Sequence, residues 1–291
     1  MQLVGYEPSE RGSSLLVSDG DVVGRRSLEP GVDLSYRLGS RRCAGVVAPR
    51  DGDGDAGADA AGDTEPAADD VRDERPEADA GAVTALRHVA CDRPRAPHCE
   101  YHSSTWVCAR CTGTCLKDEM DCHEPHAVYL AAFAPDTFKV GVTKLWRLET
   151  RLREQGADRA AHLRTVPDGR IAREIEAELA TRSDLVDRVR TDAKVDALAS
   201  SVDEDAWESL LDEFDPIDRF AFAYGFDRHL PSRPVRETIA AGTVLGVKGR
   251  LLVLERAGTT YAVDMRDLVG YELETGGTER RLQSSLGSFG G

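Results

Sequence analysis

The sequence predicts an α+β fold, and three observations carry that expectation. Two strand-like runs, a helix-like run, a third strand and a second helix follow one another behind residue 126. Both ends of the chain alternate apolar and polar residues between Gly-containing turns. A Cys- and His-rich stretch separates the N-terminal strands from the mixed unit. With 291 residues, 41% of them hydrophobic, the chain can bury a sizeable core as two domains or one domain with appendages.

Residues 1–50 carry "LLVSDGDVVGRR" and "VDLSYRLG", short β-like runs split by Asp-Gly and Pro-Gly turn signals, and predict a hairpin or meander. Residues 51–87 break the pattern with Asp, Gly, Ala and Pro and no apolar periodicity. Such a segment cannot offset its ordering entropy by burial, so it is expected to be mostly disordered, an acidic insertion looping out between Cys43 and Cys91. Residues 88–126 are dominated by Cys, His and turn residues.

In 127–182, "AVYLAAF" and "FKVGVT" read as paired strands. "LWRLETRLREQ" reads as a helix, with Leu145, Leu148 and Leu152 at helical spacing and Gly156 placed to stop it. "AHLRTVP" is a further strand, and Ile171, Ile175 and Leu179 form the apolar stripe of a second helix. Residues 183–230 predict a helical segment with Trp207, Leu210, Leu211 and Phe214 on its apolar face. Residues 231–291 return to β with "TVLGVKGRLLVLE", "TTYAVDM" and "LVGYELE", followed by a flexible tail. "LVGY" stands at 3–6 and again at 268–271, and if both terminal segments are strands they can pair in one β unit.

The net charge is −15, but residues 51–82 hold 12 Asp and Glu against 2 Arg, leaving −5 for the rest. Only 5 of the 37 basic residues are Lys, and an acid-rich, Lys-poor surface suits a high-salt, halophilic cytoplasm. The acidic run argues against steering of the whole molecule onto nucleic acid and leaves room for a local basic groove. No stretch is apolar for the roughly 18 residues a membrane span needs, and the N-terminus lacks a basic start and apolar run, so the expectation is a cytoplasmic protein without a membrane partner. Protein partners are not legible.

Six of seven cysteines fall between 91 and 122, in the order Cys91, Cys99, His102, Cys108, Cys111, Cys115, Cys122, His126, with Cys43 upstream. A reducing cytoplasm disfavours disulfides, so short paired spacings read as metal ligation. Cys99-x-x-His102 and Cys108-x-x-Cys111 are two chelating knuckles of the kind a tetrahedral zinc ion uses. Cys43, Cys91, Cys115, Cys122 and His126, with His88, His98 and His123 as further donors, supply enough ligands for a second structural zinc. Which ligand serves which ion is left open.

Arg147 and Arg151 lie one helical turn apart beside the strands, and two guanidiniums on one face suit a phosphate. "VYLA" at 128–131, "KVGVT" at 139–143, "RLREQ" at 151–155 and "EIEAEL" at 174–179 together resemble the GIY-YIG nuclease superfamily, in which a hairpin bearing two short motifs is followed by an Arg on one helix and a Glu on the next. That resemblance implies a small GIY-YIG-like sheet-plus-helices domain with Tyr129, Arg151 and Glu176 at the site. Tyr129 would help deprotonate water, Arg151 would stabilise phosphodiester charge, and Glu176 would hold Mg or Mn. Lys139 stands where the second motif usually has a tyrosine, and Gln155 where a His is common.

"CHEPHAVYLAAFAPDTFKVGVTK" and "TRLREQGA", with the preceding cysteines, resemble a prokaryotic family catalogued as domain of unknown function 2797. The resulting expectation is a zinc-stabilised protein with a degenerate GIY-YIG-like domain that binds nucleic acid or another phosphate-bearing ligand. An active metal-dependent nuclease and a non-enzymatic interaction protein are the alternatives.

Overall fold

The structure, a computed structural model, describes residues 1–8, 12–49, 85–103, 123–182, 184–186, 188–224, 230, 232–277 and 282. The expected disordered insertion at 51–87 falls almost entirely outside them, as does most of the expected C-terminal tail. No helix among the described residues is long and apolar enough to cross a membrane. The chain is mixed α+β and rich in strands.

The N-terminal half supplies β1 (Gln2–Glu7), β2 (Ser14–Asp19), β3 (Val22–Ser27), β4 (Asp33–Arg41), β5 (Val46–Pro49) and β6 (Leu86–Val89). β7 (His126–Phe133) and β8 (Thr137–Lys144) follow, then a 3-10 turn at Leu145–Arg147, α1 (Leu148–Gln155), β9 (Arg159–Val166) and α2 (Gly169–Leu179). Next come α3 (Thr191–Asp196), α4 (Glu204–Leu211) and β10 (Asp218–Ala221). The C-terminal part holds β11 (Val235–Arg236), β12 (Ala240–Lys248), β13 (Leu251–Arg256), β14 (Thr259–Asp264), α5 (Met265–Leu268) and β15 (Tyr271–Thr275).

Two sheets organise these elements. The larger has the order β11-β14-β13-β12-β4-β15-β1-β2-β3-β6-β5, so strands from the two ends of the described chain interleave. The expected pairing of the terminal segments is present, with Gln2 opposite Glu272, and β4 lies between β12 and β15. Leu3, Leu15, Leu34, Val244, Leu252, Leu254 and Leu273 fill the core beneath this sheet.

The smaller sheet has the order β10-β9-β7-β8. All eight residues of β7 are buried, which explains its nearly continuous apolar run: it is central, with helices covering both faces. Val128, Leu130 and Val140 pack with Ala172 of α2 and Trp207 and Leu211 of α4. On the opposite face Tyr129, Ala131 and Phe133 pack with Leu148 and Leu152 of α1.

Local chemistry sets the helix ends. Gly156 ends α1 at φ 72°, a left-handed cap that glycine adopts without steric cost. Asp168 accepts the backbone N–H of Ile171 to start α2, and Asp203 accepts that of Ala206 to start α4.

Two details depart from the sequence reading. The buried stripe of α2 runs through Ala172, Ile175 and Leu179, while Ile171 is exposed, because the helix starts at Gly169 and the small Ala172 is what fits against the sheet. Among its described residues, the segment read as helical from 183 to 230 holds short helices and then a strand: Asp218–Ala221 pairs with Arg159–His162 along the edge of β9.

The sheets meet at a buried ion pair. Lys248 at the end of β12 places Nζ 2.8 and 2.7 Å from the two carboxylate oxygens of Asp158, which lies between α1 and β9. Asp158 also accepts the backbone N–H of Ala134 at 3.1 Å.

Candidate metal centre and polar cluster

Cys43, Cys91, Cys99 and His102 come together so that one ligand atom from each lies within 4.8 Å of all the others. Cys43 follows β4, Cys91 follows β6, and Cys99 and His102 share a turn in which the N–H groups of His102 and Ser103 donate to the Cys99 carbonyl. Backbone bonds from Cys43 N–H to Arg93 O and from Ala44 N–H to Pro97 O clamp these segments together. Gly45 makes the approach possible: at φ 65°, a Cβ there would sit 2.0 Å from the carbonyl oxygen of Val89.

The donor spacing fits a tetrahedral ion. His102 Nδ1 lies 3.3 Å from Cys43 Sγ and 3.4 Å from Cys99 Sγ, and Cys91 Sγ lies 4.0 Å from Cys99 Sγ. Zinc bonds of about 2.3 Å to sulfur and about 2.0 Å to nitrogen would set tetrahedral edges of about 3.8 Å and about 3.5 Å. The backbone N–H groups of Gly45 and Cys99 point at Cys43 Sγ, at 3.4 and 3.3 Å, as donors do towards a thiolate. Cys99 and Cys91 shift in opposite directions. Burial opposes ionisation of Cys99, but the N–H groups of Tyr101 and His102 and the neighbouring thiols hold it below the ordinary range. The N–H of Arg93 favours the Cys91 thiolate, and burial with the Cys43 and Cys99 thiols overrides it, so Cys91 is raised. A Cys3His group can therefore hold a metal ion such as zinc.

The sequence left the assignment of donors to ions open; the structure groups the Cys99–His102 knuckle with Cys43 and Cys91. Cys108, Cys111, Cys115 and Cys122 lie outside the described residues. His88 is not free to ligate: its ring nitrogens lie 2.6 Å from Ser18 Oγ and 2.9 Å from Ala44 O. His126 stands apart from the four-residue group, opening β7 with Nδ1 2.7 Å from the Glu124 carbonyl.

The four residues singled out in the mixed unit sit around β7 and β8. Tyr129 is 2% exposed, and its phenol accepts Gln155 Nε2 at 2.7 Å. Gly141 lies directly opposite on β8, where a Cβ would come 2.5 Å from the phenol's Cζ and Oη, so the ring can cross the neighbouring strand only because that residue has no side chain. Burial raises the Tyr129 pKa, Arg151 and Gln155 oppose the rise, and Glu176 adds to it. Tyr129, Arg151, Gln155 and Glu176 thus form one electrostatic neighbourhood.

Arg151 also pairs with Glu154 at 3.4 Å, and Glu154 takes Arg147 at 3.1 Å. Glu176, with 16% of its side chain exposed, pairs with Arg173. Lys139, two residues before Gly141 and on the same face of β8, donates to the Val140 carbonyl at 2.9 Å.

The sequence reading missed Lys194. It lies on α3, mostly buried, donates to the Gln155 carbonyl at 2.6 Å and stands 4.5 Å from the centre of the Phe133 ring. Burial first, then the charges of Arg250, Lys139, Arg151 and Lys248, push its ammonium down to about 7. A signal existed: with only five Lys in the chain, Lys139, Lys194 and Lys248 all fall in this one region.

Lys194→Met is expected to stabilise the protein by about 1–3 kcal/mol at acidic pH, where the folded chain must bury the charge. Below about 7 both folded and unfolded chains hold the proton and the cost is complete. Between about 7 and 10.5 the folded chain releases it first, so the native protein gains stability with rising pH and the variant's advantage shrinks. Urea melts at pH 6 and pH 9 check this, and an advantage that is equal at both, or absent, would refute it.

These features define a strand-rich α+β protein with a Cys3His group able to hold a metal. The family model described as "Protein of unknown function (DUF2797)" matches residues 90–273, and the chain belongs to that family. Comparison with curated proteins and with solved structures gave no match.

Proposed function

We propose that this chain is a zinc-stabilised binding protein whose mixed unit, a degenerate GIY-YIG-like domain, takes a nucleic acid or another phosphate-bearing ligand at Tyr129, Lys139 and Arg151. The observation that carries the reading is the neighbourhood around the buried phenol. Arg151 and Glu176, distant in sequence and on different helices, both act on Tyr129, as the resemblance in "VYLA", "KVGVT", "RLREQ" and "EIEAEL" leads one to expect. Zinc in the Cys3His group would supply structure rather than chemistry, since four protein ligands close the coordination sphere.

Four features favour binding over cleavage. The Tyr129 phenol is raised, which makes it a poor base at neutral pH. Gln155, which holds that phenol, cannot carry a proton as a His could. Glu176 is engaged by Arg173, so a divalent ion would compete with a guanidinium for it. Lys139 adds a cation suited to a phosphate.

The test is binding and cleavage of duplex, branched and single-stranded DNA and structured RNA, with Mg or Mn present, by the wild type and by Arg151→Ala and Glu176→Ala. Binding weakened about tenfold by Arg151→Ala, without cleavage, is the expected result. Cleavage lost in both variants would replace this reading with an active nuclease, and no binding by the wild type would leave an interaction protein.

A further inference from the structure

Trp146 is 73% exposed, on the 3-10 turn between β8 and α1. An isolated exposed indole is ordinary on a protein surface. This one is held in place. Its Nε1–H donates to Glu124 Oε2 at 3.2 Å, and Glu124 Oε1 takes Lys144 Nζ at 2.7 Å. Those two hydrogen bonds also hold the Glu124 carboxyl below its usual range, so the tether stays ionised. The Arg147 guanidinium stands 5.7 Å from the indole centre.

The indole is continuous with the cluster described above. Arg147 and Arg151 share the carboxylate of Glu154, and Arg151 acts on Tyr129. An exposed aromatic face therefore borders a strip formed by Lys144, Arg147 and Arg151, in a chain whose net charge is −15. An apolar protein partner would use the indole and add no second anion for Arg147 and Arg151, two guanidiniums that share the one carboxylate of Glu154. A phosphodiester alone would use the cations and leave the indole bare. A single strand of nucleic acid answers both, with an unpaired base on the ring and its phosphates on the guanidiniums.

The geometry points to Trp146 as a stacking platform for an unpaired nucleobase, with the adjoining phosphates of the strand held by Arg147 and Arg151. This rests on the phosphate-binding reading and narrows it to single-stranded nucleic acid. The tether from Glu124 orients the ring before the strand arrives, which lowers the ordering cost of stacking.

The experiment compares a DNA strand of about 12 nucleotides, an RNA strand of the same sequence and a fully abasic DNA strand of that length, the size range one compact site covers. Wild type, Trp146→Ala and Arg151→Ala are titrated at low and high salt, with thermal melting to confirm folding. The wild type should bind at least one base-bearing strand about tenfold more tightly than the abasic one, and that ratio should persist as salt rises, because stacking releases no counterions. Trp146→Ala should bind base-bearing and abasic strands alike; Arg151→Ala should weaken both and keep the ratio. A ratio near one in the wild type, or a ratio that survives in Trp146→Ala, overturns the stacking role while leaving phosphate binding intact. Failure of the wild type to bind any strand overturns the single-strand reading, and the duplex and branched substrates of the preceding test then decide the phosphate-binding one.

Discussion

Lys248→Met is expected to lower unfolding stability by about 3–5 kcal/mol. The side chain of Lys248 is 10% exposed and that of Asp158 is 2% exposed, so truncating the ammonium leaves a carboxylate inside the protein without its cation. The Ala134 N–H, which remains, satisfies part of one oxygen and none of the charge. The loss falls where the two sheets meet, since Lys248 belongs to β12 and Asp158 to the turn before β9. Denaturant melts monitored by far-ultraviolet circular dichroism measure it. Lys248→Met combined with Asp158→Asn should recover much of the loss, because the uncompensated charge rather than the missing attraction dominates. A single variant within 1 kcal/mol of wild type would show that water reaches the carboxylate.

Cys43→Ser is expected to remove about one zinc ion per chain and to unfold the end of the larger sheet where β5 and β6 pair. The reasoning is thermodynamic. Cys43, Cys91 and the Cys99–His102 turn come from three separate segments, and β5 and β6 are four residues each. Such short strands bury little, and a structural zinc contributes binding free energy of about 10–16 kcal/mol in peptides that fold only with it. Metal analysis together with thermal melting, with and without a chelator, provides the readout. Cys91→Ser should behave in the same way. His88→Gln should keep its zinc, because the His88 ring is committed to Ser18 and Ala44. Unchanged metal content in both cysteine variants would refute the assignment.

What could be read from the sequence was local. The β7–β8 hairpin announces itself by the apolar run of β7, the alternation in β8 and a short turn, and α1 by the spacing of Leu148 and Leu152 and the cap at Gly156. Tyr129, Arg151 and Glu176 were singled out because each lies inside a short motif. Cys43 was recognised as a donor, but its ion was not, since the acidic run separates it from Cys91 and spacing carries no information across such a gap. The phase of α2 was misjudged because Ile171 outweighs Ala172 in hydropathy, although packing against the sheet favours the smaller residue. Lys194 and the Lys248–Asp158 pair belong to no motif and become visible only when distant segments meet.

The interleaving of the larger sheet also governs the order in which the protein can form. Tyr36 of β4 pairs with Ala240, about 200 residues later in the chain, and Gln2 of β1 pairs with Glu272. At ribosomal rates of about 5–20 residues per second, β4 waits roughly 10–40 s before the strands that cover its edges are made. Meanwhile β7–β9, β10 and their helices, whose contacts are closer in sequence, can condense first. During that interval the N-terminal meander exposes unpaired backbone, an opening for a chaperone or for a neighbouring nascent chain, and assembly ends when the last strand slots between the first and the fourth.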